Sequence, residues 1–200
     1  MLRKIPQQAR SKQLVEDVIE AAARILETSG AEALTTNMIT EVAGVSPGSV
    51  YQYFSDKPSI IRALIEREAN EFMEVSENAL RGLTGVEAMI AFAKALTLHR
   101  LQRPKLTLQL ILMDPTLTTS PESAEINTRI HDLLMDVVRQ ASILTDEDAS
   151  VAVMDMMGIM RGMMLSDFMS HCKHGGLPDR IADAVTGYWR LRVQAAAKSE

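Results

Sequence analysis

Val15, Val18, Ile19, Ala22 and Leu26 recur at the three- and four-residue intervals of an α-helix, and the same period runs through nearly all of the 200 residues. No stretch shows the alternation of a convincing strand, so an all-α fold of about nine helices is expected. Gly30 closes the first helix. A short second helix is predicted from about Thr36 to Ala43 and a third from about Pro47 to Phe54. Ile61, Leu64, Ile65, Glu68 and Phe72 share one face of a fourth, which continues past residue 70. Gly82 and Gly85 flank the break before a fifth helix, marked by Val86, Met89, Ile90, Ala93 and Leu96. Pro104 and Pro115 bracket a short helix near 105–113, and Ser120 with Pro121 starts one reaching about Leu144. Thr145, with Asp148 three residues on, caps a long helix to about Lys173. "HGGLPD" then precedes a last helix from about Pro178 to Ala197.

A chain 46% hydrophobic and 24% charged can bury a real core. The single cysteine, Cys172, rules out an internal disulfide and suits a reducing compartment. The N-terminus has cations but no apolar stretch behind them, and no run approaches the roughly 18 apolar residues of a membrane span. A cytoplasmic protein with no membrane partner is expected. The net charge of −5 is unevenly spread: residues 1–12 carry Arg3, Lys4, Arg10 and Lys12 without an acid, whereas residues 13–60 carry two cations against seven acids. Charge alone is therefore a poor guide to DNA binding here.

Residues 36–54 have the proportions of a helix-turn-helix, with a tight turn at Gly44. Ser46 can cap the second of its helices and Pro47 start it, leaving a tip of small residues that suits entry into a major groove. Val50 and Phe54 are expected to pack inward, and Tyr51, Gln52 and Tyr53 to project outward or sideways toward phosphates. Lys57 falls at the start of the fourth helix, whose positive end also favours an anion. A helical hairpin whose tyrosines merely pack fits the same spacing.

The residues themselves go further. "TTNMITEVAGVSPGSVYQYFSDKPSIIRAL" (35–64) closely resembles the N-terminal signature of TetR-family transcriptional regulators. The matching elements are Thr36, Val42-Ala43-Gly44-Val45-Ser46, Gly48, Tyr51, Tyr53-Phe54, Lys57 and Leu64, and the rest of the chain matches in architecture only. The resemblance implies a three-helix DNA-binding domain over residues 1–57 and a helical effector-binding and dimerisation domain over 58–200. It implies a phosphate contact at Thr36, base approach by Ser46, Pro47, Gly48 and Ser49, and backbone or flanking-base contacts from Tyr51, Gln52 and Tyr53. Lys57 matches the family's phosphate-binding lysine. Pro47 and Ser49 depart mildly from the family pattern, because neither reads bases fully, so specificity leans on Gln52 and on DNA shape. The basic arm from Arg3 to Lys12 either adds DNA contacts or is a solubilising end.

One such unit makes few contacts, and a two-fold pair would place two recognition helices about 34–36 Å apart. The last two long helices are the expected homodimer contact, with Ile181, Val185, Tyr188, Trp189 and Arg192 as anchors, although packing within the chain explains the same pattern. Gly158 and Gly162 would permit close approach by a neighbouring helix. Val153, Met156, Met160 and Met163 form one stripe; Met154, Met157, Arg161, Met164 and Phe168 form another. Ligand-binding candidates are Phe92, His99, Met113, Met157, Arg161, Met164 and Phe168, with Phe72, Met89, Leu96 and Met135 as further walls. Plain core accounts for any one apolar member. Arg161 needs a partner, either an acidic ligand or an acid such as Asp155 or Asp167.

"HCKH" (171–174) offers His171, Cys172 and His174 beside a glycine pair, but with no second ligand cluster no metal is expected. No glycine-rich phosphate loop and no nucleophile–base pair stands out, so no catalytic residue and no cofactor are expected. The reading is a homodimeric repressor released from a near-palindromic operator by a small-molecule effector. The alternative is a DNA-binding regulator or adaptor without an effector.

Overall fold

The computed structural model describes residue 3 and residues 6–113, 121–141, 144–170 and 175–198, without the side chains of residues 121–124, 126, 127 and 141. Every α or β element among the described residues is helical. The helices are α1 (Ala9–Ser29), α2 (Thr36–Ala43), α3 (Pro47–Tyr53), α4 (Lys57–Leu80), α5 (Gly85–Gln102), α6 (Pro104–Leu112), α7 (Pro121–Ala141), α8 (Asp146–Met169) and α9 (Leu177–Ala196), with a 3-10 turn at Ala31–Ala33. None of the described helices is long and apolar enough to cross a membrane.

The ends follow from local chemistry. Gly30, at φ 78°, receives the chain as it leaves α1 and donates its N–H to Ile25 O and Leu26 O. The Thr145 hydroxyl accepts the Asp148 N–H and so satisfies one of the orphan donors of α8. The expected end of that helix near Lys173 is corrected to Met169. Ser170 turns to an extended conformation, φ −73° and ψ 137°, while its N–H still bonds Ser166 O. Ser competes poorly for a place inside a helix because its hydroxyl bonds nearby backbone in other conformations. Ser120 and the "HCKH" group lie outside the described residues.

The chain forms two compact units, residues 1–70 with 103–126 and residues 71–102 with 127–200, and the division runs through α4. In the first unit α1 carries the core. Its apolar face, from Val15 to Leu26, packs with Leu34, Ile39, Val50, Phe54, Ile61 and Leu64. From α6, Leu106 is fully buried in the same cluster. Fully burying each such side chain stabilises by about 1.5–3 kcal/mol.

A polar clamp completes this unit. Arg103 donates from Nε and Nη2 to both Glu27 oxygens at 2.9 and 2.7 Å. It donates from Nη1 and Nη2 to both Glu20 oxygens at 3.0 and 3.2 Å. Glu20 also meets Arg67 at 3.1 Å and Arg24 at 3.2 Å. Burial works to raise the Glu20 pKa, but the Arg103 hydrogen bond and charge, with Arg24 and Arg67, hold it below the usual carboxylate value. The Arg103 pKa is raised, by its hydrogen bonds to Glu27 before any other cause that favours the charge.

In the second unit α9 packs on α5 and α8. Phe72 and Phe92 meet edge to face, with centroids 5.5 Å apart and planes at 76°. The expectation that Ile181, Val185 and Trp189 anchor an interface is corrected: all three are buried within the chain's own core. Their large apolar surfaces are used where α9 meets α5 and α8. Arg192 donates to Asp148 at 3.2 Å, and the Tyr188 hydroxyl donates to Asp155, so both also tie α9 to α8.

Replacing Arg103 by alanine removes the fork from two partly buried carboxylates, leaving Glu20 to Arg24 and Arg67, and is expected to destabilise the first unit by about 2 kcal/mol in urea unfolding. Because the folded Glu20 pKa lies below its unfolded value, its contribution is present above the ordinary carboxylate pKa and fades as pH falls through the lower, folded one. The gap between wild type and Arg103→Ala should therefore narrow on acidification below about 4.5; a gap independent of pH would contradict it.

Candidate nucleic-acid interface

α2 begins at Thr36, with the Thr35 hydroxyl accepting the Met38 N–H at 3.2 Å. It ends at Gly44, whose φ of 65° lies in the left-handed region. A Cβ there would meet nothing within 4 Å, so the backbone angle rather than space demands glycine. The Gly44 and Val45 N–H groups close the end on Glu41 O and Thr40 O. Ser46 then caps α3: its hydroxyl accepts the Ser49 N–H at 3.2 Å and lies 2.8 Å from the Ser49 hydroxyl. Pro47 takes the first helical position, where its missing N–H costs nothing. Ser46, Pro47 and Gly48 are exposed and Ser49 is half-buried.

Val50 and Phe54 point inward, each 1% exposed. Tyr51, 46% exposed, and Gln52 project to solvent. Tyr53 does not project outward, contrary to the sequence expectation: it is 7% exposed, in the core of the first unit. A helix of this length turns its residues 50, 53 and 54 toward one side, and that side faces α1. Thr36 is half-buried in the first turn of α2.

Lys57, exposed, is the first residue of α4. Just ahead of it Asp56 Oδ1 accepts the Ser59 N–H at 2.8 Å, while the Asp56 N–H donates to the Ser59 hydroxyl at 3.3 Å. The Ser59 N–H, more than any other cause, holds the Asp56 carboxyl below its usual value. A carboxylate of the chain's own thus occupies this helix end. The attraction for an outside anion falls to the Lys57 ammonium rather than to bare amides.

The ligand candidates fall in both units, Met113 in the first and the others in the second. Phe92, His99 and Met164 are buried in the second unit, with the His99 ring centroid 6.2 Å from that of Phe72. Met157 and Phe168 are half-buried and Arg161 is exposed. Met113 packs against the core of the first unit. Of the acids considered for Arg161, Asp167 receives Arg180 at 2.7 Å and Asp155 receives the Tyr188 hydroxyl. A recess of about 290 Å³ lies elsewhere, lined by Met163, Ser166, Asp167, Ser170 and Arg180.

His131 Nε2 lies 3.3 Å from the Ser150 hydroxyl and Nδ1 3.5 Å from Asp132. Ser150 lies in the second turn of α8 and His131 on α7, so the contact joins these two helices. One side of α8 stays open: Val151, Met154, Gly158, Arg161, Gly162 and Met169 are exposed on one face. A Cβ at either glycine would meet nothing within 4 Å.

Sequence reasoning missed the Arg103 clamp, because nothing local marks partners some eighty positions apart.

Residues 18–64 match the family described as "Bacterial regulatory proteins, tetR family". The HTH-type transcriptional repressor AcnR of Corynebacterium diphtheriae is 33% identical over 66 residues, 32% of this chain and 35% of that protein. AcnR of Corynebacterium glutamicum gives the same figures. The chain thus spans about a third of the length of the curated relatives it matches. The fold is shared far more widely. The fatty acid degradation regulator FadR from Bacillus halodurans superposes with a TM-score of 0.70 at 15% identity, over 94% of this chain and 97% of that one. A bacterial regulatory protein of the tetR family from Rhodococcus RHA1 gives 0.66 at 14% identity, over 89% and 96%. Signature and helix-turn-helix geometry thus agree over residues 18–64, the stretch that matches the tetR-family description, while the rest of the chain shares the fold of these solved structures.

Proposed function

We propose that the chain is a DNA-binding transcriptional repressor, not an enzyme, acting as a homodimer on a near-palindromic operator and released by a small molecule held in its second unit. The observation that carries the DNA reading is the pairing of α2 and α3 through Gly44, with Tyr51, Gln52 and Lys57 exposed along one short stretch. Residues 1–57 are the DNA-reading part and 58–200 the effector and dimer part. Ser46, Pro47, Gly48 and Ser49 approach the groove floor, Thr36, Tyr51 and Lys57 hold phosphates, and Gln52 reads a base. Tyr53 contributes through its backbone and by packing. The naming of AcnR as a repressor supports repression over activation.

The dimer reading draws on the open face of α8, with Met154 67% exposed, and on Leu191 of α9, 66% exposed. Effector binding would work by differential affinity: a ligand preferring the spacing unsuited to DNA lowers affinity by that preference. One observation favours a regulator without an effector. Phe92, His99 and Met164 are buried in the second unit.

Lys57→Ala is expected to weaken binding to a duplex selected by the wild-type protein. It should also lower the slope of log affinity against log salt by about 0.9 for each phosphate that is no longer neutralised. Tyr51→Ala should weaken binding across all sequences, and Gln52→Ala should relax preference at one position of each half-site. Unchanged, salt-insensitive affinity in all three would sink the DNA reading.

Gly158→Arg and Gly162→Arg fit the single chain, since space is open at both positions. Each is expected to keep the helical circular-dichroism spectrum while sedimenting as a monomer with loss of DNA affinity. A dimer that survives both substitutions would place the interface elsewhere.

A further inference from the structure

Arg3 of the basic arm is docked on α3. Arg3 donates its backbone N–H to Tyr53 O at 2.8 Å, and its guanidinium Nη1 donates to Tyr51 O at 3.4 Å. Both acceptors belong to the last turn of α3.

The shortness of α3 explains the need. A helix leaves its last four carbonyls without intrahelical donors, and in seven residues that is most of the element. No glycine follows to fold the chain back over them. Phe54 is extended, φ −120° and ψ 130°, and closes only Val50 O. Arg3 supplies donors from outside the helix and sets a positive charge on the negative end of its dipole. The arm also runs against ordinary helix electrostatics at its other end. Arg10 and Lys12 fall in the opening turn of α1, which holds no acidic residue. Cations there oppose the dipole, an arrangement that an anion outside the chain would favour.

We infer that Arg3 is a positioning residue for DNA recognition, holding the C-terminal end of α3 so that Tyr51 and Gln52 face the DNA at a fixed angle. The inference rests on the DNA-binding reading above. Tyr51 carries both the exposed ring and a carbonyl held by Arg3, so a turn of α3 about its axis would move the ring and break the hydrogen bond together. Ser46 and Ser49 fix the opposite end, and Val50, Tyr53 and Phe54 fix the inner side. Arg3 secures the remaining end.

The experiment titrates the full-length protein and its Arg3→Ala, Arg3→Lys, Tyr51→Ala and Lys57→Ala variants with the selected duplex over a range of salt. Arg3→Ala is expected to weaken binding roughly three- to tenfold, the worth of about one modest hydrogen bond, with the salt slope unchanged. Arg3→Lys, which keeps the charge at the helix end, should recover part of that loss. In the free protein, Arg3→Ala should speed amide exchange at Phe54, whose N–H closes the last turn of α3. A salt slope lowered by about 0.9 in Arg3→Ala would make Arg3 a direct phosphate contact instead and overturn the positioning role. Unchanged affinity and unchanged Phe54 exchange would overturn it as well. Silence of Tyr51→Ala and Lys57→Ala would remove the DNA reading and the role of Arg3 with it. Strong effects there beside a silent Arg3→Ala would remove Arg3 alone.

Discussion

Two carboxylates on α1 and one guanidinium set the frame of the first unit. Glu20 and Glu27 lie two turns apart on the same face of α1, and alone they would be like charges partly withdrawn from water. Arg103 answers both with a planar fork that holds each acid by both oxygens. A lysine at this place could neutralise charge but not hold two carboxylates in fixed planes. The clamp has directional consequences, because α6 is short and only Leu106 and Thr107 of it are buried. Leu110 adds a partly buried apolar contact. The fork fixes α6 against α1 at one point, and Arg67 brings α4 to the same Glu20. The three helices that frame the recognition pair are thus joined at one acid.

The proposed reading edge is narrower than the sequence alone suggested. With Tyr53 turned into the core, Tyr51 and Gln52 are the side chains of α3 that reach solvent beyond its small tip. The tip is partly closed on itself, since Ser46 and Ser49 share a hydrogen bond that occupies one of their two hydroxyl donors. Asp56 occupies the end of α4 in the same way. Few groups are left to discriminate between bases, and this favours a binder that positions itself on phosphates and reads DNA shape. Rigid presentation then matters more than the number of groups that touch the duplex, and every end of α3 is fixed by a named hydrogen bond.

Most helix ends were legible in the sequence because they depend on residues within four positions. Gly30, Gly44, Ser46 and Thr145 stop or start helices by their own backbone or hydroxyl chemistry, and the structure places each in that role. The inward face of α4 was legible for a similar reason, since Ile61, Leu64 and Phe72 repeat at the helical period. What the sequence hid was the choice of partner. Tyr53 could have faced DNA or core, Trp189 a second copy or α5, and Arg103 water or Glu20. Each choice depends on residues far along the chain, where periodicity carries no information. The division of the chain within α4 is hidden likewise, because one uninterrupted apolar face serves two cores.

The methionine-rich α8 shows how far periodicity reaches and what must be added to it. Its stripe of Val153, Met156 and Met160 is core, while Val151, Met154 and Met169 face solvent. Scattered exposed apolar residues are ordinary on a soluble protein. The glycines between them are not so easily dismissed. An exposed glycine inside a helix costs about 1 kcal/mol relative to alanine, and α8 carries two, one turn apart on its open side. Among the described residues nothing lies within 4 Å of a Cβ at either position, so they offer no gain in packing to offset the cost. A gain from outside would explain it: a second helix could lie close over Gly158 and Gly162, with adaptable methionine side chains closing around it. That is the geometry the proposed two-fold pair would use. It accounts for the exposed residues of α8 without drawing on those its own core has already used.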